Sequence, residues 1–194
     1  MSTIETMIAK VRARIREAAQ ACGRDPEQVR LLAVSKTHPA AAIRAAYACG
    51  QVDFGENYLQ EALAKQQELA DLPLRWHFIG PIQSNKTRAI ATHFAWVHSV
   101  DRLKIAQRLA EQRPEELPPL NICLQVNVSG EASKSGCAPE ELPALAEAAA
   151  QLPRLKLRGL MAIPEPTDDV AAQRAAFARL RELQAGLPYE RDTL

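Results

Sequence analysis

The sequence predicts an α/β fold built on a parallel sheet. The first sign is six strand-then-helix units that follow one leading helix without interruption, since each parallel return needs a helical crossover. The second is length: 194 residues suit one domain with its own core. The third is a negative, because no GxGxxG follows the first strand. That weakens a dinucleotide-binding open sheet and leaves two closures, a doubly wound sheet or a (β/α)8 barrel.

Each element has its own local cause. Residues 2–22 read as an amphipathic helix, with Ile4, Met7, Ile8, Val11 and Ile15 at helical spacing, a Ser2–Glu5 capping box and Gly23 as stop. The apolar run 30–36 predicts a first strand. Pro39 opens a second helix, where its missing N–H costs nothing, and Gly50 closes it. Strand 51–55 leads into Glu56-Asn57 and a helix ending near Pro73. Strand 74–80 leads into Gln83-Ser84-Asn85 and a short helix to about Thr92. Strand 95–100 precedes a helix capped by Asp101 and carrying Leu103, Ile105, Ala106 and Leu109. Strand 120–127 is followed by a polar loop and a helix from about Pro139 to Gln151. Strand 155–163 ends in Pro164-Glu165-Pro166, and a last helix runs from about Thr167 to Ala185. No second domain is expected: residues 1–194 read as one.

Composition narrows the function. A formal net charge of +1 gives no support for a nucleic-acid or acidic-membrane partner. Cys22, Cys49, Cys123 and Cys137 are scattered, form no CxxC pair, and with four dispersed histidines make no zinc signature. They read as reduced, buried or half-buried thiols. The N-terminus carries no signal peptide and no apolar run is long enough to span a bilayer, so a cytoplasmic protein is expected. No serine sits in a GxSxG elbow and no carboxylate pair stands out. Hydrolase and metalloenzyme readings therefore have no support, and His77, between Trp76 and Phe78, reads as a core histidine.

What remains is Lys36. Strand alternation puts it on one face with Leu32 and Val34, opposite Leu31, Ala33 and Ser35. If that face is buried, the ammonium is costly to keep charged, and a free amine is what imine formation with an aldehyde requires. At its unperturbed pKa only roughly one lysine in two to three thousand is the free amine at pH 7. The competing reading is a strand-end lysine whose stem lies on apolar surface and whose head reaches water.

In a parallel barrel the active site lies where strands end. The exits here carry Lys36, Glu56-Asn57, Gln83-Ser84-Asn85, Ser99, Asn127-Val128-Ser129 and Met161. Singly, Asn57, Asn85 and Ser129 read as caps or turn residues. Asn127 is more telling, because alternation gives Cys123, Gln125 and Asn127 one face, a polar row in an apolar strand. A class I aldolase, a pyridoxal-phosphate protein and a dehydratase all remain open on this ground.

Several segments resemble one known family. These are Ala33-Val34-Ser35-Lys36-Thr37, Phe54-Gly55-Glu56-Asn57-Tyr58, the run from Trp76 to Lys86, and Gly159-Leu160-Met161-Ala162-Ile163-Pro164. Gln125-Val126-Asn127 with Glu131, Lys134 and Gly136 also fits its pattern. Together they are similar, across the whole chain and in order, to the pyridoxal-phosphate homeostasis protein family. The resemblance implies a (β/α)8 TIM barrel like the N-terminal domain of alanine racemase, with pyridoxal 5′-phosphate held as an internal aldimine. It places that aldimine on Lys36, with Asn57 near the cofactor and Met161 lining the pocket. Asn127 joins them on strand geometry, with less support from the family.

Members are understood as monomeric cofactor binders, with no established reaction of their own, that buffer or deliver the cofactor to apo-enzymes. No catalytic residue and no metal ligand are therefore assigned. The alternative is a fold-type III enzyme such as an amino-acid racemase, which needs a second acid/base. Of Tyr47, Tyr58 and Tyr189, only Tyr58 is a candidate, and helix packing explains it more simply. The family pattern continues past the last helix with a serine-containing loop and an Arg-Ile-Gly segment that cradle the phosphate. The last two βα units are thus expected to be absent from these 194 residues, which alone would bind the cofactor poorly.

Overall fold

The computed structural model describes residues 3–128 and 135–187. Ser2 of the expected capping box, together with Ser129, Glu131, Lys134 and Tyr189, lies outside them. The described residues divide into two compact units, one up to Trp76 and the other from His77 onward. The division falls inside strand β3 (Arg75–Phe78).

The first unit contains α1 (Thr3–Ala21), a single 3-10 turn (Pro26–Gln28), β1 (Ala33–Val34), α2 (Ala40–Ala48), β2 (Asp53–Glu56) and α3 (Leu59–Glu68). β1 and β2 are parallel, with Ala33 opposite Phe54 and Val34 opposite Gly55. Phe54, Ile43 and Leu69 form the core with Ala40 and Ala46, flanked by Ile4 and Ile8 of α1 and by Trp76. Burying each large side chain contributes about 1.5–3 kcal/mol. β1 is shorter than the expected 30–36 because the backbone turns at once, and Thr37 takes the left-handed conformation at φ 64°.

The second unit alternates α4 (Thr87–His93), β4 (Trp96–Val100), α5 (Leu103–Gln112), β5 (Leu120–Gln125), α6 (Leu142–Ala150), β6 (Leu155–Met161) and α7 (Val170–Ala185). β4 pairs in parallel with the end of β3 and with β5, and β5 with β6. The expected strand-then-helix order is therefore present throughout. Ile122 and Leu124 are fully buried, as are Ile105, Ala106 and Leu109 of α5. One expected cap is not made. Arg102, not Asp101, stands at the N-cap of α5, and the Asp101 carboxylate accepts from the Arg102 guanidinium at 2.7 Å instead.

All four cysteines are free thiols. Cys123 and Cys137 are buried, and burial pushes their pKa values up to about 12 and about 11, so neither is a nucleophile at neutral pH. His77 is a buried core histidine, as its sequence context suggests. It also has a partner that the sequence spacing hides: its Nδ1 lies 2.9 Å from Nε2 of His98 on β4. Both rings pack against Trp96, with centroids 5.6 and 5.7 Å away, and the Arg158 guanidinium sits over the same indole. Asn121 Oδ1 orients that guanidinium by accepting from Arg158 Nε at 2.7 Å.

Burial, with His77 beside it, holds the His98 imidazole down at about 4. In the unfolded chain His98 takes a proton near its ordinary value of 6.5, but in the fold only near 4, so between these values the unfolded state binds more protons. The contribution of neutral His98 is thus complete above pH 6.5 and is lost as pH falls towards 4. Urea unfolding is expected to show a drop of about 2 kcal/mol between pH 7 and pH 4.5, largely absent in His98→Gln.

Gly136 carries a second testable constraint. At φ 123° an added Cβ would lie 2.7 Å from Asn127 N and from Val126 C, which is backbone against backbone. Gly136→Ala is expected to lower stability by about 2–4 kcal/mol, read by thermal or urea unfolding.

Candidate functional site

Lys36 sits in the turn directly after β1 and is half-buried. The face it shares with Leu32 and Val34 is not the covered one: Val34 is 49% exposed, whereas Ser35 on the opposite face is 4% exposed. The reading in which the Leu32–Val34–Lys36 face is the buried one is corrected accordingly. Alternation separates the two faces, but the helix packed on them decides which is buried. Among the described residues the Lys36 amine has no hydrogen-bond or ion-pair partner.

The sealed lysine in this unit is Lys65, on α3. Its Nζ donates to Ser35 O at 2.8 Å, Glu56 Oε1 at 2.8 Å and Glu61 Oε1 at 2.6 Å, so all three protons are used. Glu56 ends β2 with no exposed surface, and its Oε1 also accepts from Ser35 Oγ at 2.6 Å. Glu61 Oε1 accepts from the Thr37 backbone N–H as well, at 2.6 Å. The Lys65 ammonium, with that N–H, holds the Glu61 carboxyl below its ordinary range. The result is a charged chain lying under the Lys36 turn.

Of this group, the sequence reading named Glu56 among the polar strand exits and missed Lys65 and Glu61. A signal existed. Leu59, Ala62 and Leu69 recur on one face of α3 with Lys65 among them, and Glu61 stands four residues before Lys65.

Asn57 follows β2. β1 and β2 are parallel neighbours, so Asn57 after β2 and Lys36 after β1 stand at the same end of that pair. Its capping reading fails, because Tyr58 is the N-cap of α3 and makes no side-chain cap bond. Asn57 Oδ1 is buried with no hydrogen-bond partner among the described residues. A buried orphan acceptor costs about 1–3 kcal/mol unless something donates to it. Asn85 likewise caps nothing, since α4 begins after Lys86 without a side-chain cap bond. Tyr58 is 56% exposed.

The other two predicted residues lie in the second unit, and there they are neighbours. Asn127 follows β5, and its N–H donates to Cys137 O at 3.0 Å, next to the position that only Gly136 can fill. Met161 ends β6 opposite Gln125, and its carbonyl accepts from Val126 N at 2.9 Å. Both side chains are half-buried. Ser99 is turned to a structural task, with Oγ donating to Gly80 O at 2.5 Å.

The class of fold is defined by a family model, the N-terminal domain of alanine racemase, which matches residues 7–193 and so spans both units. A pyridoxal phosphate homeostasis protein of Pseudomonas aeruginosa is 79% identical over 194 residues, which is 100% of this chain and 84% of that protein. One of the same description from Escherichia coli K12 is 54% identical over 190 residues, 96% of this chain and 81% of that one. The solved structure of PipY from Synechococcus elongatus with PLP bound superposes with a TM-score of 0.76 at 44% identity, covering 88% of this chain and 80% of PipY. The chain belongs to the pyridoxal phosphate homeostasis protein family.

Removing the cation from the buried chain strands the Glu56 carboxylate. Lys65→Met is expected to cost about 3–5 kcal/mol in urea unfolding, and Glu56→Gln/Lys65→Met, which removes both charges, distinctly less.

Proposed function

We propose that this protein binds pyridoxal 5′-phosphate and serves vitamin B6 cofactor homeostasis, with Lys36 as the covalent anchor. The observation that carries the reading is a half-buried amine with no partner among the described residues, at the same end of the β1–β2 pair as a buried Asn57 oxygen that lacks a donor among them. Both features fit an aldehyde cofactor: one group is free to attack, the other to receive a hydrogen bond. The relative whose structure holds PLP supports the choice of aldehyde.

When bound, the cofactor supplies an electrophilic aldehyde carbon and an electron-withdrawing ring. The chain's part is to present and orient. Lys36 would supply the nucleophilic amine, and Asn57 Oδ1 would accept a hydrogen bond from the cofactor. Asn127 and Met161 of the second unit are carried as further candidate cofactor-binding residues, one polar and one soft and apolar. A reversible bond to one lysine retains the cofactor and still permits its release, which suits a buffer that passes it to enzymes lacking it. No second acid/base residue is assigned, so the protein is read as a binder and not a racemase.

We further infer a monomer of the cytoplasm. Among the described residues no helix is long and apolar enough to cross a membrane, and the near-neutral net charge of +1 favours no polyanion partner.

The test is reductive trapping, which records even a weak reversible adduct. Protein mixed with pyridoxal 5′-phosphate and borohydride is expected to gain one adduct, located at Lys36 by peptide mass spectrometry. Lys36→Ala should lose it, and Asn57→Ala should lower the yield about tenfold at limiting cofactor. Equal modification of Lys36→Ala would overturn the assignment.

A further inference from the structure

We propose that Glu61, acting with Lys65, is the positioning residue for Lys36, holding both peptide groups that border it so that its amine is aimed before any ligand arrives. The inference rests on the reading of Lys36 as the anchor and adds to it how the anchor is held.

The peptide before Lys36 is fixed through Ser35. Its N–H donates to Gly55 O at 2.9 Å, and its carbonyl accepts from Lys65 Nζ at 2.8 Å and from His38 N at 3.0 Å. The Ser35 hydroxyl donates to Glu56. The peptide after Lys36 is fixed through the Thr37 N–H, which donates to Glu61 Oε1. With both flanking peptides pinned, the Cα–Cβ direction of Lys36 is set by α3 and β2, and only the side-chain torsions remain free.

Thr37 indicates that the hold has a purpose. A β-branched residue at φ 64° is strained, and such strain persists only where surrounding bonds over-determine it. Here the determining bond runs to a carboxylate that Lys65 keeps charged and in place. A glycine would take the same conformation without strain. The chain instead uses threonine and a charge-assisted bond, which makes the turn dependent on Glu61. Lys65 links the two halves: one ammonium touches the peptide before Lys36 and the carboxylate that holds the peptide after it.

The test uses Glu61→Ala, with Glu68→Ala on the same helix as the control for losing an exposed carboxylate. In Glu61→Ala, hydrogen exchange at the Thr37 amide is expected to rise about tenfold, the equivalent of one charge-assisted hydrogen bond. Borohydride trapping of pyridoxal 5′-phosphate at Lys36 should slow about tenfold. In trapping, the amine bonds to the aldehyde carbon, the aldehyde oxygen leaves as water, and borohydride delivers hydride to that carbon. Methylation of Lys36 by formaldehyde and borohydride should slow less, since a small aldehyde needs no set approach. Adding Thr37→Gly to Glu61→Ala should restore trapping at least in part, which a purely structural role for Glu61 would not do.

Unchanged trapping and unchanged Thr37 exchange in Glu61→Ala would overturn the proposal. Should that variant not fold, Glu61→Gln, with one acceptor oxygen and no charge, is expected to slow trapping about threefold. No slowing there would overturn the proposal equally. If the unaltered protein shows no adduct at Lys36, the cofactor reading fails by itself. The exchange measurement then decides whether Glu61 holds the turn.

Discussion

The Lys65 ammonium is the interaction on which the first unit's functional end depends. It is 6% exposed and would be costly to bury alone, so each of its three protons has a named acceptor. Those acceptors belong to three separate parts of the chain: the end of β1, the end of β2 and the first turn of α3. A single cation therefore ties together the segments that carry Lys36 and Asn57. Such networks are weak evidence for stability, since an apolar replacement can do as well. Their use is geometric, and here the geometry ends at the turn bearing the candidate anchor.

That arrangement divides two tasks that a single residue could not combine. A lysine buried with three partners is held, and its electron pair is not available. A lysine without partners is available, but its long stem gives it many orientations. Both kinds are present here: Lys65 is held by three acceptors, and Lys36 has no partner among the described residues. The second unit works by a different device. There, shape sets the backbone: Gly136 admits a close approach that no Cβ would allow, and the Asn127 segment lies against it. Its aromatic and histidine pack around Trp96 adds a polar core whose His77–His98 bond needs one of the two facing nitrogens to be without a proton.

Much of this was legible from residue order. Helical spacing and strand alternation located every helix and strand of the described residues to within a few positions, because both are local backbone periodicities. Lys36, Asn57, Asn127 and Met161 were found as polar or soft side chains where strands end. The misreadings have a common cause. Asp101 looked like a cap but bonds its neighbour, and Asn57 looked like a cap but its Oδ1 has no partner among the described residues. Both outcomes turn on one rotamer and one partner, which spacing does not encode.

By itself, the sequence determined the alternating α/β plan, the family, and the lysine at the first strand's exit, since these follow from periodicity and from motifs within a few residues. Tertiary structure alone decided which face of that strand is covered. It thereby made Ser35 and Lys65 the buried groups and left Lys36 half-open. It also decided that Glu61, 24 residues on, holds the Thr37 N–H, and that His77 meets His98. The physical reason is the same in each case. Burial and hydrogen bonding depend on what packs against a residue, and the packing partners here come from elements far away along the chain.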